Sequence, residues 1–247
     1  MRDNRAILDT ANSTSPRLHA LVPAAGSGSR LGHAIPKQYL PLAGKPLLRH
    51  TLDALASSPR LHAIHVVLAP HDTLFEATMG NDLHAHARAL RVGGATRAES
   101  VRNGLRALRG EAAESDWVLV HDAARPCLSA TLIHRLVEAV LPDAVGGILA
   151  LPVADTVKVS DEARRIAGTV DRHGLWLAQT PQMFRFGLLR EALESADPAT
   201  VTDEASAVQA LGHRPLLVEG DVTNLKVTWS GDAALAACIL AAAGAPP

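Results

Sequence analysis

Short apolar runs alternate with stretches of helical periodicity along most of this chain, and that alternation limits the fold more than any other feature. Residues 18–24 (LHALVPA) form an apolar run that ends at a glycine-rich turn, which predicts a buried first strand. Residues 63–69 (AIHVVLA), 90–92, 117–121 (WVLVH), 146–153 (GGILALPV) and 215–218 read as further strands. Residues 46–56, 72–79, 97–108, 132–141, 187–196, 203–211 and 231–243 carry apolar side chains at helical spacing. Pro46 suits the first turn of its helix, where a missing N–H costs nothing. Alternation of this kind predicts an α/β fold with a doubly wound, mostly parallel sheet covered on both faces.

The pattern breaks between about residues 152 and 180. There VKVSDEARRIAGTVDRHGLW sets apolar and polar residues in turn around a charged DEARR segment, which predicts a protruding antiparallel β-arm. No repeat, low-complexity tract or Gly/Ser/Pro-rich linker marks a second domain. The expectation is a single domain over residues 18–247, with the arm at about 152–180. Residues 1–17 are polar, carry charges of both signs and lack an apolar h-region, so they read as a disordered extension and not as a signal peptide.

Composition narrows the partners. The 24 basic and 25 acidic side chains leave a net charge of −1, and aromatic residues are 3% of the chain. Neither a broad positive field nor a set of stacking rings is present, so nucleic acid and membrane are not expected partners. Cys127 and Cys238 lie far apart, with no CxxC or zinc-type spacing, so no disulfide is expected and the cytoplasm is the expected compartment. The longest apolar stretch, 233–245, is mostly alanine and falls short of the roughly 20 residues that span a bilayer.

The chemistry gathers at strand ends. The first strand runs into PAAGSGSRLG, where Gly26 and Gly28 let backbone N–H groups approach a polyphosphate without a Cβ in the way. Glycine turns also serve as plain strand–helix connections, but Arg30 and Lys37 follow closely, and two cations there suit a phosphate that gains charge during reaction. A rival reading takes Gly26, Gly28 and Gly32 as a relative of dinucleotide fingerprints, with Asp53 as the ribose acid of a nicotinamide-dependent oxidoreductase. Asp53 falls within a helical pattern and not at a strand end, which weakens that reading. Walker-type, zinc-protease and kinase signatures are absent from the sequence.

Eight segments then carry a resemblance: PAAGSGSRLG, PKQYLPLAGKPLL, GGATRAESVRNGL, HDAARP, PVADTVKV, TVDRHGLWLAQTPQ, TDEASAV and NLKVT. In order and spacing, from about residue 18 to 238, they resemble the 2-C-methyl-D-erythritol 4-phosphate cytidylyltransferases. The nearest confusion is with cytidylyltransferases for another polyol phosphate, such as ribitol 5-phosphate. The resemblance implies a Rossmann-like nucleotidyltransferase that joins CTP to the sugar-alcohol phosphate with Mg²⁺. It also implies a homodimer whose arms, through Thr156 and Arg172, reach the partner's site.

Residue by residue, the resemblance implies that Arg30 and Lys37 stabilise the pentacoordinate transition state. It assigns Pro23, Ala24, Ala25, Gly26, Gly28, Gly94, Arg97, Ser100, Asp122 and Ala123 to the nucleotide. Arg125, Thr156, Arg172, Thr180 and Lys226 surround the sugar phosphate, with Arg172 and Lys226 positioning its phosphate for attack. Asp122 is the candidate Mg²⁺ ligand, a hard oxygen donor at a strand's carboxyl end. Ala95 stands where the family often has an acid, and Thr223 where relatives commonly place an aspartate. Thr96 also reads as the N-cap of its helix, and His121 as a histidine at the edge of the core.

Overall fold

Seven strands form the main sheet of the computed structural model, which describes residues 15–26, 35–80 and 84–244. The first half of the chain supplies β1 (Leu18–Pro23), the small hairpin β2 (Pro41–Leu42) and β3 (Lys45–Pro46), and α1 (Leu47–Ala56). It continues through β4 (Ala63–Val67), α2 (Phe75–Met79), β5 (Ala87–Leu90) and α3 (Arg97–Ala107). The second half adds β6 (Trp117–Val120), α4 (Ala130–Val140), β7 (Gly146–Pro152), β8 (Val157–Ser160) and β9 (Ile166–Val170). Then come β10 (Trp176–Arg185), α5 (Phe186–Ser195), α6 (Glu204–Ala210), β11 (Leu216–Glu219) and α7 (Ser230–Gly244). The sheet order is β11-β7-β10-β6-β1-β4-β5.

Alternation of side chains along each strand splits the core into two layers. Leu18, Ala20 and Val22 of β1, with Ile64 and Val66 of β4, face Leu48, Leu52 and Leu55 of α1 and Ile133, Leu136 and Val137 of α4. Leu21, Val67, Val118 and Val120 face the other way, onto Val101 and Leu105 of α3 and Leu189 and Leu193 of α5. Both faces are covered, which is why the parallel strands read as continuous apolar runs. Truncating any of these buried leucines to alanine should cost about 2–5 kcal/mol. The chain winds outward from β1 to β4 and β5, then crosses to β6 on the other side of β1. That reversal opens a crevice beyond the carboxyl ends of β1 and β6, where α/β sheets bind ligands.

Two expectations are corrected. The arm is smaller than 152–180, because β10 is a central strand of the main sheet, antiparallel to both β6 and β7. Within that stretch β8 and β9 pair apart from it, turning at Asp161, whose backbone N–H donates to Arg165 O at 2.9 Å. The third strand pairs with β4 through Ala87–Leu90, earlier than the expected 90–92. Residues 1–14 of the expected extension lie outside the described residues, whereas Arg17 is held by Asp116, its backbone N–H 2.8 Å from Oδ1. Among the described residues no helix is long and apolar enough to cross a membrane.

Candidate active site

A cleft of about 490 Å³ opens at the crevice between β1 and β6. Pro23, Ala24, Ala25 and Gly26 line it from the end of β1, and Asp122 and Ala123 from the end of β6. Lys37, Gly94, Arg97, Ser100 and Lys226 stand along its walls. Close backbone packing lies behind the Ala25 wall. Gly93 N–H donates to Leu68 O at 2.8 Å, and a Cβ at Gly93 would stand 2.3 Å from Ala25 Cβ and 2.7 Å from Leu68 O. Gly28, Arg30 and Gly32 lie outside the described residues. Lys37 comes from the turn of 3₁₀ helix at Lys37–Tyr39, and its Nζ donates to Val227 O at 2.6 Å.

The segment from Gly94 to Ser100 serves two purposes. Thr96 caps α3, accepting from Glu99 N–H at 3.1 Å, while the Glu99 carboxylate accepts from the backbone N–H groups of Ala95 and Thr96. The expected capping is therefore present, and it fixes the loop that borders the cleft. Ser100 Oγ is buried; it accepts from Gly94 N–H at 3.1 Å and donates to Thr96 O at 2.9 Å.

Charges alternate across the cleft. Asp122, nearly buried, accepts from Arg97 Nε at Oδ1 (2.8 Å) and pairs with Lys226 Nζ at Oδ2 (2.7 Å). Burial alone would raise its pKa, but Arg97 and Lys226, and then Arg125, hold it well below the ordinary carboxylate range. Glu204, fully buried in the first turn of α6, binds the far edge of Arg97 with two bonds, Nη1 to Oε1 at 2.7 Å and Nη2 to Oε2 at 3.0 Å. Burial would lower the pKa of Arg97; Glu204 and Asp122 reverse that and raise it. The sequence reading gave Glu204 no role, although it stands in the quoted TDEASAV segment. Its only sequence signal was an acid beside an N-cap aspartate, which is also what a plain helix start contains.

A second pocket of about 280 Å³ shares Arg97, Asp122 and Lys226 with the cleft and adds Arg125 and Thr180. The antiparallel register of β10 on β6 brings Thr180 beside Asp122, whose backbone N–H donates to Thr180 Oγ1 at 3.0 Å. His121 is wholly buried, with Nε2 3.1 Å from Arg125 O and Nδ1 3.1 Å from Thr180 Oγ1. A carbonyl can only accept, so Nε2 carries the proton and Nδ1 receives the Thr180 hydroxyl. Burial pushes the pKa of His121 down to about 4, so it is neutral at pH 7. Arg125 donates through Nη1 to Asn224 O at 2.6 Å, while among the described residues its buried Nε has no hydrogen-bond partner and lies 3.8 Å from Asp122 Oδ2.

Thr156 and Arg172 line neither pocket. Both are exposed at the arm, where Arg172 Nη1 donates to Ala154 O. Asp53, the acid of the dinucleotide reading, sits within α1 and is taken up by Lys45, Arg49 and His84. Among the described residues no cluster of three or more His, Cys, Asp or Glu is arranged to hold a metal ion. A lone aspartate fits a different metal chemistry. Mg²⁺ keeps several waters and is commonly held by one or two carboxylates together with substrate phosphates.

The profile of the IspD family, 2-C-methyl-D-erythritol 4-phosphate cytidylyltransferase, matches residues 18–242. A protein of that name from Dechloromonas aromatica (strain RCB) is 58% identical over 227 residues, covering 92% of this chain and 99% of its own. Another from Chromobacterium violaceum is 57% identical over 225 residues, covering 90% and 97% respectively. A crystal structure of 4-diphosphocytidyl-2C-methyl-D-erythritol synthase superposes with a TM-score of 0.82 at 43% identity, over 92% of this chain and 100% of that one. The Francisella tularensis enzyme superposes at 0.78 and 36% identity, over 90% and 99%.

Proposed function

The chain belongs to the 2-C-methyl-D-erythritol 4-phosphate cytidylyltransferase family, and on that premise we propose how its two adjoining pockets divide the reaction. The enzyme converts CTP and 2-C-methyl-D-erythritol 4-phosphate to 4-diphosphocytidyl-2-C-methyl-D-erythritol and pyrophosphate. An oxygen of the sugar phosphate forms a bond to the α-phosphorus of CTP as the bond to the β-phosphate oxygen breaks, and pyrophosphate leaves. CTP occupies the larger cleft, with its base against Gly94 and Ser100 and its phosphates along the Ala24–Gly26 turn. The sugar phosphate occupies the smaller pocket, against Arg125 and Thr180.

The observation that carries this division is the shared wall of Arg97, Asp122 and Lys226 between the two pockets. Groups standing there face both the α-phosphorus and its attacker. Lys37 and Arg30 act on the charge that builds up at the α-phosphate, Arg30 on its sequence match alone. Lys226 turns from Asp122 to the incoming phosphate, and the Nε of Arg125, which makes no hydrogen bond among the described residues, gives that anion a further donor. Asp122 would hold Mg²⁺, which supplies charge neutralisation and orientation to the triphosphate. Arg172 and Thr156 join the site from the arm of a second subunit. The arm favours such pairing because Val159 and Ile166 are 49% and 71% exposed, beside Leu177 at 59% at the start of β10, a loss that a two-fold partner would recover. Two free cysteines suit the cytoplasm.

The division is tested by two substitutions. Arg125→Gln should raise KM for the sugar phosphate about 10–100-fold, the worth of one charge-assisted hydrogen bond, with little change for CTP. Ser100→Ala should act on KM for CTP and spare the sugar phosphate. Equal effects of both substitutions on both substrates would refute the division.

A further inference from the structure

We propose that Glu204 is a positioning residue for this reaction, acting through Arg97 to aim the Asp122 carboxylate between the two pockets. Glu204, Arg97, Asp122 and Lys226 form one row of alternating charge, each contact between 2.7 and 3.0 Å. Three N–H groups of the Arg97 guanidinium are committed within that row: Nη1 and Nη2 to Glu204, and Nε to Asp122. A planar guanidinium bound on two edges cannot rotate, so the position of Glu204 dictates the plane in which Asp122 is met.

The carboxylate itself is rigidly set. Asp203 caps α6, and its Oδ2 accepts from Gln182 Nε2 at 2.8 Å; Gln182 Oε1 in turn accepts from Ala205 N–H at 2.9 Å. These bonds fasten the helix start to β10, the strand that also carries Thr180. Glu204 touches neither pocket, being absent from the lining of both. Its effect must pass through Arg97. Without it, a half-buried Arg97 would keep one carboxylate partner, and its two freed N–H groups would turn onto Asp122. That contact competes with Lys226 for the same oxygen and draws Asp122 off the shared wall. Glu204 is thus the counterweight that lets Arg97 support Asp122 without capturing it.

This inference rests on the proposed role of Asp122, and a double-mutant cycle isolates it. Glu204→Gln, Arg97→Gln and the double variant are compared for kcat/KM and thermal midpoint, with assays run well below every midpoint. Partners that orient a site residue from behind typically alter activity by about 10–100-fold when removed, so Glu204→Gln should lower kcat/KM by that factor. Arg97→Gln removes the group through which Glu204 acts. The double variant should therefore stay within about threefold of Arg97→Gln, the coupling expected of residues in one network. A merely structural glutamate would lower the midpoint and leave kcat/KM of the folded enzyme intact. Either a multiplying effect in the cycle or an unchanged kcat/KM in Glu204→Gln overturns the proposal. Should Glu204→Gln not fold, Glu204→Asp replaces it in the same cycle: it keeps the charge but draws the carboxylate back from Arg97, so it should also lower kcat/KM, and an unchanged kcat/KM overturns the proposal. Wild-type pyrophosphate release, measured alongside, reports on the activity itself and separates its failure from that of Glu204.

Discussion

Lowering the pH from 7.5 to 5.0 should destabilise this protein by at least about 4 kcal/mol: two buried histidines supply that much, and burial lowers the pKa of His19 in the same direction. Burial, with Arg88 and then His19 adding to it, pushes the pKa of His65 down to about 3, and burial pushes that of His121 down to about 4. In an unfolded chain both titrate near 6.5. Below 6.5 the unfolded chain takes up protons that the folded protein refuses, so acid favours unfolding. The loss accumulates as pH falls from 6.5, to about 4 for His121 and to about 3 for His65. At pH 5.0 each contributes about 1.36 kcal/mol per unit below 6.5, or about 2 kcal/mol. Set against a typical stability of about 5–15 kcal/mol, that loss is large. Asp53, held down to about 2 by hydrogen bonds from Lys45, Arg49 and His84 that outweigh its burial, matters only below about pH 4. Urea unfolding at pH 7.5 and 5.0 measures the drop. His65→Asn should be less stable at pH 7.5, because Arg88 Nε and His19 Nδ1 lose partners 3.1 and 3.3 Å away. Its drop between the two pH values should nevertheless be smaller by about 2 kcal/mol. An equal drop in both proteins would refute the argument that a buried neutral His65 carries the dependence.

Further outcomes follow from the site. Lys37→Ala should lower kcat by about 10²–10³ with a smaller effect on CTP binding, because its proposed contact strengthens only in the transition state. Steady-state kinetics beside calorimetric titration of CTP checks that split. Gly93→Ala should destabilise the fold by about 1–3 kcal/mol and weaken CTP binding, since the added Cβ meets Ala25 Cβ and Leu68 O within 2.7 Å; denaturant melts and the same titration would report both. Arg30→Ala and Arg172→Ala proteins, each inactive alone, should recover roughly a quarter of wild-type activity when subunits are exchanged at equal amounts, as two-fold pairing requires. A mixture that stays inactive after proven exchange would place Arg172 in its own chain's site.

Strands buried on both faces were legible because their runs are unbroken. LHALVP, AIHVV and WVLV contain only the histidines His19 and His65 as polar interruptions, and these two meet each other, with ring nitrogens 3.3 Å apart. β10 was not legible as a sheet strand. Its centre, AQTPQ, is polar and contains a proline, so it reads as loop, yet Gln179 and Gln182 are buried because Asp221 O, Asp203 and Ala205 N–H satisfy them. Partners that distant in sequence leave no local pattern. The same reason hid Glu204, whose partner Arg97 lies across the sheet's end. Asp122, Thr180 and Lys226 were reachable by resemblance, but their convergence on one wall depends on the β10 register. Asp53 shows the opposite case, an acid at a suggestive spacing that a helix and three cations remove from any ligand site.

The central claim is that this cleft transfers a cytidylyl group to one sugar-alcohol phosphate. Pyrophosphate release is measured with CTP against a panel holding 2-C-methyl-D-erythritol 4-phosphate, ribitol 5-phosphate and other polyol phosphates, with Mg²⁺ present. Rapid release with the methylerythritol compound, and at most slow release with the rest, is the predicted result. Preference for another polyol phosphate, or no release with any of them, would contradict it.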